Sequence, residues 1–394
     1  MTLPPPLDWQ IAKIGPGQEV PPEHRVTREN WRLYPYSRWA FQHTRELVPS
    51  RALCRSIAPR PLDEDFVSLD DLHIIGDGAS SAISWAEFEA QTYTDAMLII
   101  HNGTIIHERY YNGMTRHTPH HAFSVSKSFI GLLAESMIAE NVLDKGAPVT
   151  TYVPELAGSG FAKVDVHHLL DMTDGVAFDE DYANPGADVH RYSANYWTPA
   201  LADGGVHAAL ARLTGRDHPP GSEFTYRTPV TDALGWVIAR ASGKRLADLF
   251  YERIWQPAGC ADEGHFLVDT AGDEIAASGL NTTARDMARL ALLVSEGTGI
   301  PAAARANILK GGNRNLFAKS KYAERSGGSY GSQWWVAHDD FGSISALGVY
   351  GQRVHIETET GLIMVRFGSH PLASNLHTDG LHRRALEALR NFLR

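Results

Sequence analysis

The stretch HAFSVSKSFIGLLAESMIAE, His121–Glu140, decides how this sequence folds. Apolar residues recur in it every three or four positions, the spacing that places side chains on one face of an α-helix. The stripe consists of Phe129, Ile130, Leu133, Met137 and Ile138. The spacing therefore predicts a helix from about Ser124 to Glu140 with one face in a core.

A serine and a lysine stand three residues apart at the start of this helix, at Ser124 and Lys127. Residues three apart share a helix face, so the hydroxyl and the amine can touch. A serine needs a base to take its proton, and lysine is a base only where burial and the helix dipole lower its pKa. Ser124 is thus a candidate nucleophile and Lys127 its candidate base. The alternative is that Ser124 caps the helix and Lys127 points into solvent.

Tyr226 precedes a second predicted helix, Thr228–Gly243. This helix has Thr228 as its N-cap, proline at its first position and glycine just past its end. A phenol can relay a proton between a nucleophile and a leaving group, which makes Tyr226 a candidate acid and base. A packing tyrosine with a satisfied hydroxyl is the alternative.

The rest of the chain places sheet at both ends of a helical middle. Asn102-Gly103 joins two predicted strands, Ala96–His101 and Thr104–Tyr110, and is a strong hairpin signal. Further strands follow a predicted helix at Thr282–Gly297. A last helix carries Leu381, Ala385, Leu389 and Phe392 on one face.

This order predicts an α/β (α+β) fold, an antiparallel sheet flanked by helices with an inserted, mainly helical domain. The active site is expected in the cleft between them. The predicted division is an irregular N-terminal arm over residues 1–58, held by its aromatic side chains, an α/β domain over 59–145 and 263–394, and the helical domain over 146–262.

Composition and charge argue against several classes of function. The chain has 394 residues, 43% hydrophobic and 21% charged, with a net charge of −10. It has no run of Lys and Arg, so neither nucleic acid nor a membrane surface is an expected partner. Because the start lacks a secretory signal and no run of about 18 apolar residues occurs, we predict a cytoplasmic protein. Cys54 and Cys260 fit no metal or redox spacing and are expected to be free thiols.

Two other motifs are typical of a nucleophile elbow and of a metal site, but their sequence context fits neither. GGSYG, Gly327–Gly331, matches the Gly-x-Ser-x-Gly nucleophile elbow, but that turn needs a helix after it, and a Trp-rich strand is predicted here. The histidines at His117–His121 and at His167-His168 lack the metallohydrolase spacing of two histidines one helical turn apart with an adjacent acid. We therefore predict no metal, and the sequence contains no nucleotide-binding fingerprint that would imply an organic cofactor.

Several motifs together resemble the serine β-lactamase and penicillin-recognising superfamily, in its class C-like esterase and amidase branch. They are FSVSKSFIGLLAESMIAENVLDKGAPVTTYVPEL, HHLLDMTDG, GSEFTYRTPVTDALGWVIARASG and NTTARDMARLALLV. The shorter strings QTYTDAMLII, TYVPELAGS, EDYANP, QWW and YGQ are similar to the 6-aminohexanoate-dimer hydrolases, the nylon-oligomer hydrolases. The resemblance implies a β-lactamase/transpeptidase-like fold and an acyl-enzyme on Ser124. It also implies Lys127 as base, Tyr226 as general acid and base, and no cofactor.

The same resemblance implies that the backbone amides of Ser124 and Val349 hold an oxyanion. Superfamily members commonly read Tyr-x-Asn where this chain has Tyr226-Arg227-Thr228. Their Lys-Thr-Gly falls on Ala346-Leu347-Gly348, which supplies neither a cation nor a hydroxyl for a β-lactam carboxylate. We therefore expect little or no β-lactamase activity.

The substrate-binding residues implied by the resemblance are Tyr182, Ser193, Trp335, Gly348 and Tyr350. In nylon-acting members an acid and an asparagine hold the substrate; the acid falls on Ser193, with Asp188 as the alternative position, and the asparagine falls on Ala277. We therefore favour a serine hydrolase of carboxylic esters and linear amides, with acyl transfer as a side activity. The alternatives are a 6-aminohexanoate-dimer amidase and a non-catalytic binding protein of the same fold. The partner is expected to be a small ester or amide, and the oligomeric state stays open, a homodimer included.

Overall fold

Strands from both ends of the chain meet in one sheet. The computed structural model describes residues 3–75, 82–198, 204–323 and 328–394. Its strands are β1 (Ser50–Leu53), β2 (Asp63–Glu64), β3 (His73–Ile75), β4 (Ala82–Ser84), β5 (Thr94–His101), β6 (Thr104–Tyr110), β7 (His120–His121), β8 (Gly264–Leu267), β9 (Leu280–Thr282), β10 (Ser329–Gly331), β11 (Trp334–Val336), β12 (Ser343–Gly348), β13 (Gln352–Glu357) and β14 (Leu362–Gly368).

The main sheet has the order β10-β11-β12-β13-β14-β5-β6-β2 and is antiparallel except where β2 runs parallel to β6. The hairpin β5–β6 confirms the sequence prediction, because His101 pairs with Thr104 and both residues of the connecting turn have positive φ. A smaller sheet has the order β1-β8-β9-β7. The pairing of β14 with β5 joins the C-terminal strands to the early hairpin, and the mainly helical stretch between β7 and β8 adds no described strand to the main sheet.

The helices fill the insertion and cover the sheet. They are α1 (Trp9–Ala12), α2 (Ser37–Ala40), α3 (Trp85–Gln91), α4 (Val125–Ala139), α5 (Val149–Tyr152), α6 (Val166–Leu170), α7 (Asp188–Trp197), α8 (Gly205–Arg212), α9 (Thr228–Ser242), α10 (Leu246–Phe250), α11 (Gln256–Ala258), α12 (Ala284–Glu296), α13 (Ala302–Lys310), α14 (Arg314–Phe317) and α15 (Leu376–Phe392). Helices α5 to α11 follow one another without an intervening described strand, as expected for the middle of the chain. The limits of the domains stay a prediction.

Both faces of the main sheet are buried. On β5, Leu98 and Ile100 belong to the large core that also contains α4 and α12, whereas Met97 and Ile99 face a second core under α3 and α15. A sheet covered on both faces needs apolar residues at successive positions, which explains why β5 reads as an unbroken apolar run. Among the described residues, no helix has both the length and the apolar character needed to cross a bilayer.

Two packing expectations change in the structure. Helix α4 was expected to bury one stripe, but its residues from Val125 to Met137 are all buried, because helices and strands surround it. Phe392 was expected in the core of α15, yet it is 45% exposed, since it lies in the last turn of the chain's final helix.

The N-terminal arm is more ordered than predicted. It contributes α1, α2 and the strand β1, which pairs with β8. As expected, its aromatic residues hold it: Trp31 and Trp39 are buried. A buried ion pair adds to this, with Arg38 Nη1 2.7 Å from Asp95 Oδ1 on β5.

We expect Arg38→Ala to lower the free energy of unfolding by about 3 kcal/mol, because it leaves the Asp95 carboxylate buried without its cation. Arg45→Ala is the matched control, since its partner Glu263 is exposed and such pairs contribute at most about 1 kcal/mol. Urea unfolding of both variants measures the difference. Equal losses would show that the buried pair does not anchor the arm.

Candidate active site

Ser124 and Lys127 meet at the start of α4. Lys127 Nζ donates a hydrogen bond to Ser124 Oγ at 2.9 Å. Lys127 is 1% exposed, and the Ser124 side chain makes no capping hydrogen bond to the helix. The alternative that Ser124 is a cap and Lys127 a solvated lysine is therefore wrong.

A tight turn from β7 into α4 places the serine. Phe123 adopts φ = 47°, a strained conformation for a residue with a large side chain, and such strain is often found at functional sites. Ser126 Oγ donates to the Phe123 carbonyl at 2.6 Å and accepts from the Leu280 amide at 3.1 Å. The Phe123 ring packs on Phe41 at 4.8 Å. The N-terminal arm thus supports the turn that presents Ser124.

Lys127 is a weaker base than an ordinary lysine, yet its ammonium keeps its hydrogen-bond acceptors. Burial lowers the pKa of Lys127 from 10.5 to about 8, while the carboxylates of Glu180 and Asp232 act in the opposite direction. The ammonium also donates to the carbonyl of Ala277 at 2.9 Å. At neutral pH roughly one lysine in ten is therefore unprotonated and able to accept a proton.

A cavity of about 410 Å³ opens at Ser124. Aromatic rings form part of its walls, and the end of strand β12 and the segment that leads into α15 complete it. The cavity is lined by Ser124, Glu180, Asp181, Tyr182, Ala183, Tyr226, Lys321, Tyr322, Trp335, Leu347, Gly348, Val349, Ala373, Ser374, Asn375 and Leu376. The size and apolar lining are typical of a small-molecule site.

Tyr226 lies beside the Ser124–Lys127 pair. Lys127 Nζ is 5.5 Å from the centroid of the Tyr226 ring, and this ring stacks on Trp335 at 5.6 Å. The next residue, Arg227, is buried and pairs with Asp174 at 3.5 Å, which fixes the backbone at this point. Sequence spacing alone could not show that a residue 102 positions after Ser124 would face it.

The end of β12 forms the wall opposite Tyr226. A Cβ on Gly348 would lie 2.7 Å from the carbonyl oxygen of Ala122, so this strand can approach the serine turn only with glycine here. Asn375 Nδ2 holds the Gly348 carbonyl at 2.7 Å, and Gln352 Nε2 holds that of Val349 at 3.2 Å. Ser124 and Val349 therefore line one cavity on a fixed backbone.

Two predicted substrate-binding residues do not line this cavity. Ser193 lies on α7 and is buried, with its hydroxyl donating to the His190 carbonyl at 3.2 Å. Tyr350 has φ = 63°, and its ring centroid lies 5.1 Å from that of Phe41 and 5.2 Å from that of Phe123. Tyr350 instead supports the wall, since its amide donates to the Ala373 carbonyl at 2.9 Å.

Thr228 was expected to cap α9, but its side chain bonds elsewhere. The helix begins at Thr228, and both the Thr228 amide and its hydroxyl donate to the carboxylate of Glu180 at 2.5 Å. Glu180 and Asp232 are the two buried acids that the sequence interpretation missed. An acid inside the apolar helix TPVTDALGW and one beside Tyr182 in EDYANP were the signals that could have revealed them.

The GGSYG motif and the two histidine clusters lie elsewhere in the structure. Ser329 of the GGSYG motif lies in β10 and is followed by β11, so no nucleophile elbow forms there; Gly327 is outside the described residues. His120 and His121 are buried and bond to Asp95 and to the Ser278 carbonyl. Asp165, His167 and His168 bring potential metal ligands within 4.8 Å of one another, but a partly exposed group of this kind is common without a metal.

The geometry agrees with the comparisons to known proteins. The sequence profile of the family described as β-lactamase matches residues 85–386. The chain belongs to the β-lactamase family. The resemblance seen in the sequence motifs is thereby confirmed, and with it the β-lactamase/transpeptidase-like fold.

Individual proteins to which the chain is similar include a dimer hydrolase and an esterase. The 6-aminohexanoate-dimer hydrolase of Paenarthrobacter ureafaciens is 31% identical over 366 residues, covering 90% of this chain and 91% of the relative. Esterase EstB of Burkholderia gladioli is 29% identical over 36% of this chain and 37% of its own. A Bacillus anthracis structure, provisionally named a 6-aminohexanoate-dimer hydrolase, superposes with a TM-score of 0.81 at 28% identity, covering 95% of this chain and 97% of that one. The protein is thus a β-lactamase-fold hydrolase, similar both to dimer hydrolases and to esterases.

We expect Lys127 to titrate near pH 8, well below an ordinary lysine, because its ammonium is cut off from water. NMR of the ¹³C-labelled lysine side chains, followed from neutral to alkaline pH, measures this directly. The signal of Lys127 is the one that disappears in Lys127→Met. If that signal titrated with an unshifted lysine pKa, the lysine would be hydrated and the site would differ from the one described.

Proposed function

We propose that the protein is a serine hydrolase that cleaves carboxylic esters and linear amides through an acyl-enzyme on Ser124. The observation that carries this proposal is the 2.9 Å hydrogen bond between a buried Lys127 and Ser124 at the mouth of an apolar cavity. A neutral amine in contact with a serine hydroxyl is the arrangement that activates the serine.

In the proposed reaction, Lys127 Nζ takes the proton from Ser124 Oγ as this oxygen attacks the substrate carbonyl. The amides of Ser124 and Val349 stabilise the oxyanion, and such a donor typically contributes about 2.7–4 kcal/mol. Tyr226, beside Lys127, relays the proton to the leaving alcohol or amine. Water then attacks the acyl-enzyme with its proton passing back through the same groups, which releases the acid and restores Ser124.

The apolar part of the cavity lining favours apolar acyl groups, although Lys321 also places a cation at the wall. Leu347, Trp335 and Tyr322 supply apolar wall, and the positions corresponding to a β-lactam carboxylate anchor carry no cation. The backbone of Ala277 is occupied by Lys127 and by Asp232, whose Oδ1 accepts from the Ala277 amide at 2.9 Å. Its methyl group cannot bind a substrate amide. These features support an esterase with little β-lactamase activity.

A second candidate is 6-aminohexanoate-dimer hydrolysis, favoured by the relative that is 31% identical over nearly the whole chain. The missing asparagine at Ala277 and the buried, bonded hydroxyl of Ser193 count against it. Acyl transfer to amines or alcohols is a further proposal, in which the aromatic side chains of the cavity wall would reduce the access of water to the acyl-enzyme. A small-molecule partner and a cytoplasmic location stay predictions.

We expect wild-type protein to hydrolyse short-chain p-nitrophenyl esters and Ser124→Ala to lose this activity, because the attacking oxygen is gone. The 6-aminohexanoate dimer and a chromogenic cephalosporin, assayed with the same two proteins, should be turned over weakly or not at all. Ser193→Ala, which is buried outside the cavity, is the matched control for loss of a serine hydroxyl.

Two other results would change the assigned function. Strong, Ser124-dependent dimer hydrolysis would establish the amidase in place of the esterase. If Ser124→Ala behaved like wild type on every substrate and no covalent serine probe labelled the parent, the protein would be a binding protein of this fold.

We further expect kcat/KM for esters to rise with pH around a midpoint near 8, since only neutral Lys127 accepts the serine proton. Lys127→Ala should reduce kcat/KM by roughly 10²–10⁴-fold and abolish this limb. A pH-rate profile of both proteins tests it. Turnover of Lys127→Ala within about twofold of the parent would show that another group is the base.

A further inference from the structure

We propose that Glu180 is a positioning residue of this site, which holds Thr228 and Tyr182 at the cavity and keeps a negative charge opposite Lys127. The inference rests on the proposed serine mechanism and deepens it. It assigns a function to a loop acid that the sequence interpretation missed.

Glu180 is tied to two elements of the site at once. Its Oε1 accepts from the Thr228 hydroxyl at 2.5 Å and from Tyr182 Oη at 3.2 Å, and its Oε2 accepts from the Thr228 amide at 2.5 Å. Both oxygens act as acceptors, which fits the ionised carboxylate. Thr228 opens α9, so the carboxylate also lies at the positive end of this helix.

These contacts place the catalytic tyrosine. Tyr226 is two residues before Thr228, and the chain between them is buried. Holding the Thr228 amide and hydroxyl therefore fixes where the Tyr226 segment enters α9. On the other side of Glu180, the bonded Tyr182 forms part of the cavity wall. A single side chain thus sets two walls of the substrate site.

Glu180 also lies at the same site as the lysine, because it lines the cavity with Ser124 and Lys127 Nζ is bonded to Ser124 Oγ at 2.9 Å. Burial raises the pKa of Glu180, whereas Lys127 and the Thr228 donors favour its charged form. The carboxylates of Glu180 and Asp232 both act to raise the pKa of Lys127. The tyrosines around Glu180, Tyr182, Tyr192 and Tyr330, stay neutral, since burial raises the pKa of each.

The two acids differ in their access to substrate. Asp232 is bonded to Tyr192, Tyr196 and the Ala277 amide and does not line the cavity. Glu180 lines the cavity although it is only 7% exposed. The charge on Glu180 can therefore respond to what the cavity contains, and it sets the protonation of Lys127 from the substrate side.

The test is the pH-rate profile of Glu180→Gln on an ester whose turnover depends on Ser124. Gln keeps the length and an acceptor for the Thr228 amide but removes the charge. A carboxylate beside an ammonium raises the pKa of the ammonium, so its removal lowers the pKa of Lys127. The rising limb of kcat/KM should move to lower pH by roughly one unit. Asp179→Asn, an exposed acid one residue earlier, is the matched control and should leave the limb where it is.

Glu180→Asp distinguishes the effect of the carboxylate charge from the effect of side-chain length. It keeps the carboxylate, so its limb should stay near that of the parent, while its shorter side chain loses contact with Thr228 and lowers kcat. A folded Glu180→Gln with an unmoved limb would overturn the proposal. It would leave the serine mechanism intact, because that mechanism is judged by Ser124→Ala and Lys127→Ala.

A second pair of variants applies if Glu180→Gln does not fold. Thr228→Val removes the hydroxyl that donates to Glu180, and Thr228→Ser retains it. We expect about a tenfold loss of kcat/KM in the valine variant, a typical effect of losing a hydrogen bond to a charged group, and near-parent activity in the serine variant. Equal activities of the two would overturn the positioning role.

Discussion

An ammonium group buried against a serine hydroxyl is the interaction on which the rest of this structure depends. Removing Lys127 from water is costly, and the protein offsets part of that cost with the Ser124 hydroxyl, the Ala277 carbonyl and the nearby acids Glu180 and Asp232. The balance lowers the pKa of Lys127 only to about 8. Stronger stabilisation of the buried ammonium would raise the fraction of Lys127 that is protonated. Weaker stabilisation would raise the free-energy cost of burying it.

These compensating groups come from parts of the chain that are far apart. Helix α4 supplies the serine and the lysine, the helical insertion supplies Glu180, Tyr226 and Asp232, and the C-terminal strands close the cavity at Gly348. The helical insertion contributes no described strand to the main sheet, because β14 pairs directly with β5. Gln333 then ties the parts together, since it bonds to Leu169 in α6 and to Thr231 in α9. The cleft thus lies between the main sheet and the helical insertion that packs against it.

The same scaffold can serve different substrates because the acyl-transfer groups and the recognition groups are separate. In the proposed mechanism the oxyanion donor is the Val349 backbone amide, which is independent of side-chain identity, whereas a carboxylate anchor or an ammonium-binding acid is not. The positions that the sequence resemblance assigns to substrate recognition carry Leu347 and Ala277 in this chain, and four aromatic side chains line the cavity. Membership of the β-lactamase family therefore fixes the chemistry more firmly than the substrate.

The sequence by itself determined the elements and the family. The 3.6-residue period around Ser124 gave helix α4, Asn102-Gly103 gave the hairpin, and ordered motifs gave the fold, because each signal is local and depends on backbone geometry. Sequence could not assign the bonds of Thr228 to Glu180, the packing of Tyr350 on Phe41 and Phe123 or the burial of Ser193. Those outcomes depend on which distant residues lie alongside, as Glu180 does at Thr228 and Phe41 does at Tyr350. Only the tertiary structure decided them, because a buried polar group bonds to whatever partner the packing brings within reach, and packing brings together residues that sequence spacing does not relate.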